Sequence, residues 1–319
     1  MRNREVRLLS VFGAIVFCVS LAVGEIYLRE VWGFCDSVLM QADPDFEYIA
    51  QPDQVRSRFK KRIVYNNYSQ RSAPVDSTAF IILGLGDSVI NGGTLTDHDS
   101  LATTLLSQNL KIDNSSVQVL NISAGSWGPD NCMAYLERYG TFGASIAFLI
   151  CSSHDVSDIM DFKTVVDVRS SISSEQYCSA WIELFDRYMW SRLKDNIIVF
   201  LYHQKVKRIS EIHKSGIGFN PGFEKLATYF KERKIPFLIL LHAEVSEQKR
   251  GCYNEEGEAI ISFCKDHGIT FKTDLGVFTD SDYRDNIHLN EAGQHHLYEV
   301  MKDYLLAVAD TASYSKVYF

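Results

Sequence analysis

Ser88, Asp285 and His288 are the residues whose types and spacing could do covalent chemistry. Ser88 follows Gly86-Asp87 at the end of a short apolar run, and Asp285 and His288 stand three residues apart near the C-terminus. A serine hydroxyl is a weak nucleophile near neutral pH and needs a base within hydrogen-bond reach. A histidine supplies that base, and a carboxylate fixes its tautomer and steadies the imidazolium that forms. Asp and His on one tight turn can present both side chains to one cleft, with Asp285 holding one ring nitrogen of His288 while the other faces Ser88. Alone, a Gly-Asp-Ser turn or an Asp-x-x-His pair is ordinary loop chemistry. Their positions join them: the first ends a strand-like run, and the second precedes a helix that begins around Glu291.

Those pieces need elements to position them. Ala79 to Leu83, Val117 to Asn121, Ile146 to Cys151, Pro236 to Leu241 and Ile269 to Phe271 are short apolar runs that break into small or polar residues. Segments of helical spacing lie between them. Leu101, Leu105, Leu106 and Leu110 follow a capping pair, Asp99-Ser100, while others follow Pro129, Pro221 and Asn254. Strands alternating with helices predict a parallel sheet covered on both faces, with ligands at the carboxyl ends of the strands. Those ends carry Asp87-Ser88, Ser123 to Ser126, His154-Asp155 and His242.

Other residues have competing readings. His242 either lines the cleft or is satisfied within its own loop. Trp127 is either an aromatic platform for a sugar or a core ring. Trp181, Leu184, Phe185 and Tyr188 follow helical spacing and are read as core. His98, His203, His213, His267, His295 and His296 lack acidic partners at ligand spacing, so no metal or other cofactor is expected. The basic run Arg56 to Arg62 is read as a solvated face.

With these residues in place, the sequence resembles the SGNH hydrolases, the GDSL esterase/lipase family. Gly86-Asp87-Ser88 is similar to the family's nucleophile block, with Val89 where the family name has Leu, and Asp285 to His288 matches its Asp-x-x-His block. Asn121-Ile122-Ser123-Ala124-Gly125-Ser126-Trp127-Gly128 resembles the second block, whose turn supplies a backbone N–H to the oxyanion hole. The resemblance puts that N–H at Ser126, or at Gly125 if the turn shifts by one. The third block departs from the pattern: Ser152-Ser153-His154-Asp155 stands where the family has Gly-x-Asn-Asp. His154 thus replaces the Asn whose side chain donates to the oxyanion, and an imidazole can donate there too. Asn67 to Arg71, ahead of the first strand, is similar to the lead-in of membrane-anchored bacterial members. The resemblance spans about Ala79 to Ala307. It implies a three-layer α/β/α flavodoxin-like domain that hydrolyses or transfers an O-acyl group through an acyl-serine intermediate.

Composition bounds the rest. The 319 residues are 46% hydrophobic with a net charge of −8, which excludes a disordered chain and argues against a nucleic-acid binder. At the N-terminus, Arg2, Arg4 and Arg7 precede 17 uncharged residues, Leu8 to Gly24, ahead of Glu25. That stretch is near the short limit for crossing a bilayer, and its basic flank orients the body outside the cytoplasm. Ala22-Val23-Gly24 also fits a signal-peptidase site, so an uncleaved anchor and a cleaved signal both stand. No C-x-x-C pair occurs among the seven cysteines. The expected organisation is an anchor over residues 1–28, a lead-in over 29–78, a catalytic domain over 79–310 and a tail over 311–319. The expected substrate is an acylated small molecule or polysaccharide. The alternatives are a polysaccharide O-acetyltransferase with the same triad and a catalytically silent, tethered carbohydrate-binding or assembly protein.

Overall fold

A computed structural model describes residues 3–190, 193, 214 and 216–316, with side chains through residue 309. His203 and His213 lie outside these residues. Helix α1 (Asn3–Trp32) leads into two antiparallel hairpins, β1 (Met40–Asp43) with β2 (Glu47–Ala50) and β3 (Gln54–Arg58) with β4 (Lys61–Tyr65). There follow β5 (Phe80–Gly86), α2 (Ser88–Asn91), α3 (Ala102–Asn109), β6 (Lys111–Ile112), β7 (Ser115–Ser123), α4 (Pro129–Tyr139) and β8 (Ile146–Ser152). The second half has α5 (Ala180–Leu184), which continues as a π-helical segment (Phe185–Trp190), then α6 (Gly222–Glu232) and β9 (Phe237–His242). Helices α7 (Val245–Arg250) and α8 (Glu255–Asp266), strand β10 (Thr270–Thr273) and α9 (Glu291–Lys316) complete it.

The five apolar runs form the parallel sheet. Its order is β10-β9-β8-β5-β7, with short β6 antiparallel at the β7 edge. Numbering the parallel strands along the chain gives 2-1-3-4-5, the flavodoxin-like winding, and the switch point lies between β5 and β8. Strand alternation divides the core in two. Leu83, Leu120, Leu149 and Ile239 face α4, α6 and α8 on one side, while Ile82, Val119, Phe148 and Leu240 face α2, α3 and α9 on the other. This is the three-layer α/β/α arrangement.

Local chemistry sets the helix ends. Pro129 opens α4, where its missing N–H costs nothing, and the Asn254 side chain accepts from the Gly257 N–H at the start of α8. The expected capping pair Asp99-Ser100 does not cap α3. Those residues form a separate 3-10 turn capped by Asp97, and α3 starts at Ala102 without a side-chain cap.

Two further expectations are corrected, and the open reading of Trp127 is decided. The basic run is a solvated face only in part: Ser57, Lys60 and Arg62 are exposed, but Arg58 is buried and paired with Glu183, while Arg56, Lys61 and Arg62 pair with Asp36, Glu291 and Asp99. A β-hairpin alternates its side chains, so one basic residue of the run is carried inward. Trp181 and Phe185 are helical as expected, but they are exposed rather than core. Trp127 is a core ring: it is buried against Phe46 and Tyr135, and its Nε1 donates to the Tyr48 carbonyl. Helix α9 runs through residue 310, and residues 317–319 lie outside those described.

Candidate active site

Strand β5 delivers Ser88. Gly86 has φ 153°, and a Cβ there would come within 2.5 Å of the Ile150 carbonyl on β8, so only glycine fits the strand's exit. Asp87 then accepts a hydrogen bond from the Val89 N–H at 2.8 Å, which turns the chain into α2 with Ser88 as its first residue.

The loop before α9 delivers the other two side chains. Tyr283 bridges Leu289, and the Arg284 N–H donates to the His288 carbonyl at 2.9 Å, closing a tight turn. Inside it, Asp285 Oδ1 accepts from the backbone N–H groups of Ile287 (3.1 Å) and His288 (2.8 Å). His288 Nδ1 lies 2.8 Å from Asp285 Oδ2, and Nε2 lies 2.8 Å from Ser88 Oγ. Nδ1–H donates to the carboxylate, so Nε2 presents its lone pair to the Ser88 hydroxyl, the tautomer a general base needs. Burial acts to raise the Asp285 pKa, but the His288 hydrogen bond and two N–H donors outweigh it and hold this carboxyl well below the usual range.

The residues expected for an oxyanion hole line the same cleft, of about 720 Å³. Ser126 takes a left-handed φ of 58° in the turn after β7, and the Tyr48 hydroxyl ties that turn down by donating to the Gly125 carbonyl at 2.6 Å. Among the described residues, the backbone N–H groups of Ser88, Gly125 and Ser126 have no hydrogen-bond acceptor. Asn121 lies behind them, buried, donating to the Ile90 carbonyl and Thr103 Oγ1. It braces β7 against α2 and α3.

His154 reaches the cleft at the end of β8 among carboxyl groups. Its Nε2 lies 3.6 Å from Asp87 Oδ2 and 3.9 Å from Asp155 Oδ1, and its Nδ1 lies 3.8 Å from Glu244 Oε1. Burial opposes a charge on His154, but Asp155, Asp87 and Glu244 outweigh it and raise its pKa well above the usual value. Within this cluster Asp87 and Glu244 are lowered by His154, whereas burial pushes Asp155 up. Asp155 Oδ1 accepts no hydrogen bond. Among the described residues, Asp87, His154 and Asp155 are also the one group with metal-ligand atoms drawn close enough to hold an ion, all within 4.8 Å of one another. Ion pairing accounts for that closeness.

The structure also decides between the two readings of His242 and gives Arg71 a role that its sequence did not show. His242 does not line the cleft. It is buried, with Nδ1 2.6 Å from Asp274 Oδ2 and Nε2 2.9 Å from the carbonyl of Ile287, the residue before His288. The signal was present in part, since His242 ends β9 and Asp274 follows the end of the adjacent β10. Arg71, in the lead-in, is fully buried and donates to the carbonyls of Asn91, Gly93 and Thr96, clamping the chain beyond α2.

No family model matches the chain, and no curated protein matches it. Solved structures similar to it include a lipase/acylhydrolase from Enterococcus faecalis, at 11% identity over 70% of this chain and 94% of that one, with a TM-score of 0.39. An acetylxylan esterase from Geobacillus stearothermophilus is similar at 12% identity over 70% and 93%, TM-score 0.37. The SGNH-hydrolase family esterase AlinE4 is similar at 12% identity over 72% and 96%, TM-score 0.32.

Proposed function

We propose that the protein is a serine esterase of SGNH type that hydrolyses an O-acyl group through an acyl-serine intermediate. The observation that carries this reading is the unbroken chain from Asp285 through His288 to Ser88 at the mouth of the cleft. Ser88 Oγ attacks the ester carbonyl while His288 Nε2 takes its proton. The imidazolium, steadied by Asp285, then protonates the departing alcohol, and water repeats the sequence to free the acid. The N–H groups of Ser88 and of Ser126 or Gly125 receive the negative charge that develops on the carbonyl oxygen, with His154 as the side-chain donor. The expectation of no metal or cofactor belongs to this reading.

The proposed substrate is an O-acyl group on an extracytoplasmic carbohydrate, with α1 as an uncleaved anchor. Helix α1 is the one helix among the described residues that is long and apolar enough to cross a membrane. The anchor reading draws support from the docking of its far end. The Glu25 carboxylate accepts from Ser179 Oγ and from the N–H groups of Ala180 and Trp181, so cleavage after Gly24 would break α1 beside this contact.

Fluorophosphonate labelling with peptide mapping, alongside p-nitrophenyl acetate turnover, tests the assignment. Label on Ser88 and loss of several orders of magnitude in Ser88→Ala are expected. Label on another serine, or full activity in that variant, refutes it. An oligosaccharide acceptor in the same assay separates an esterase from an O-acetyltransferase, and silence in both arms would leave a binding protein.

A further inference from the structure

The helical run Ala180–Trp190 is inside out. Trp181, Ile182, Phe185, Met189 and Trp190 are 39%, 53%, 47%, 53% and 47% exposed. Glu183, on the opposite side, is fully buried, and its Oε1 accepts from Arg58 at 2.6 Å and from Arg187 at 2.8 Å. A helix on the surface of a water-soluble body turns charges out and apolar residues in. Here the charges point in and an apolar strip points out, so the outward face calls for a nonaqueous neighbour.

The neighbour follows from where the strip begins. Trp181 Nε1 donates to the Leu21 carbonyl of α1 at 2.9 Å, and its ring lies so close over Gly24 that a Cβ there would meet it at 2.2 Å. Leu21 and Gly24 belong to the uncharged stretch of α1, and Glu25, the first charge beyond that stretch, caps the start of α5. The strip thus starts where the apolar stretch of α1 ends. Tryptophan rings favour that depth in a bilayer, and a helix with one apolar face lies flat along it.

We infer that the face formed by Trp181, Ile182, Phe185, Met189 and Trp190 rests in the interfacial layer of the bilayer crossed by α1. This deepens the anchored reading above and rests on it. The helix has a second duty on its inner side, because Arg187 and Tyr188 line the cleft together with Arg58. One element therefore touches lipid and walls the cleft, which holds the cleft at the membrane surface rather than at the end of a flexible tether. Substrates carried on the membrane or close to it are the ones this placement serves.

The test uses the full-length protein in phosphatidylcholine/phosphatidylglycerol vesicles, with and without dibrominated phosphatidylcholine, which quenches tryptophans in contact with acyl chains. Trp190 is the reporter, since it lies at the end of the strip away from the α1 contact. Trp190→Phe is expected to remove part of the bromolipid quenching, and Phe185→Glu with Met189→Glu is expected to reduce it further. Both variants should stay in carbonate-washed vesicles and keep fluorophosphonate labelling. Quenching unchanged by Trp190→Phe in protein that survives the wash overturns the inference while leaving the anchor intact. Crosslinking of Met189→Cys to a second copy, with Trp190 unquenched, also overturns it and assigns the face to a dimer. Release of the whole chain by carbonate refutes the anchor itself, and the inference with it.

Discussion

His242→Gln should separate a residue that positions the turn of the proposed triad from one that merely fills the core. Both ring nitrogens of His242 face oxygens, the Asp274 carboxylate at 2.6 Å and the Ile287 carbonyl at 2.9 Å, an arrangement that an imidazolium satisfies by donating to each. Burial opposes that charge, but Asp274 outweighs it and raises the pKa; Asp87 and Glu244 also act on the ring, and Tyr283 stacks on it. Removing the cation leaves a buried carboxylate unpaired, a loss of about 3–5 kcal/mol. The Ile287 carbonyl also loses its tie, one residue from His288. A displacement of about 1 Å there could cost up to about 10²-fold in kcat. Urea unfolding and p-nitrophenyl acetate turnover read the two effects. The double variant His242→Phe/Asp274→Leu removes the whole pair, so it should regain stability without regaining kcat. Because the folded-state pKa is raised, this stabilisation is complete below the ordinary histidine value of about 6.5 and fades as pH rises through the raised value. A cost below about 1 kcal/mol in His242→Gln, or kcat recovered along with stability in the double variant, would refute the reasoning.

His154→Ala should lower kcat by about 10²- to 10³-fold, the usual loss for one oxyanion donor, and His154→Asn should recover part of it; two variants within about threefold of wild type would reduce His154 to an ion-pair residue. Burial depresses the pKa of His98 from 6.5 to about 4, so the unfolded chain takes up the proton first as pH falls. Stability should therefore drop by about 3 kcal/mol between pH 6.5 and 4, and His98→Gln should flatten that part of the curve; an unchanged slope would show that other groups set it. Gly86→Ala should destabilise the protein by a few kcal/mol and disturb Ser88 labelling, since its Cβ would meet rigid backbone at 2.5 Å; wild-type melting in that variant would contradict the fit.

The parallel sheet was legible because every strand is a short apolar run ending in small or polar residues. Burial on both faces of a sheet writes that pattern directly into the chain. The Gly-Asp-Ser and Asp-x-x-His pieces were legible for the same reason, since each sits at the exit of an element whose type its flanks betray. The hairpins from Met40 to Tyr65 left no comparable trace. Phe46 in the turn and Tyr48 and Ile49 on β2 join the main core, but β1 and β2 are four residues long and read as mixed polar sequence. Periodicity correctly predicted a helix around Trp181 and Phe185 and assigned its apolar residues to the core. A period of 3.6 marks which residues share a face, not which way that face points. That direction depends on Glu183 finding Arg58, 125 residues earlier in the chain, and on Glu25 of α1 reaching the start of α5. The same holds for His242, whose local sequence is that of any strand end; only the approach of Asp274 and Ile287 turns it into a buried, doubly bonded ring behind the Asp285–His288 turn. Sequence spacing determined the elements and the Gly-Asp-Ser and Asp-x-x-His pieces because those are local properties. Tertiary structure decided which side chains face water, lipid or one another, because a charge is buried only where a distant partner compensates it.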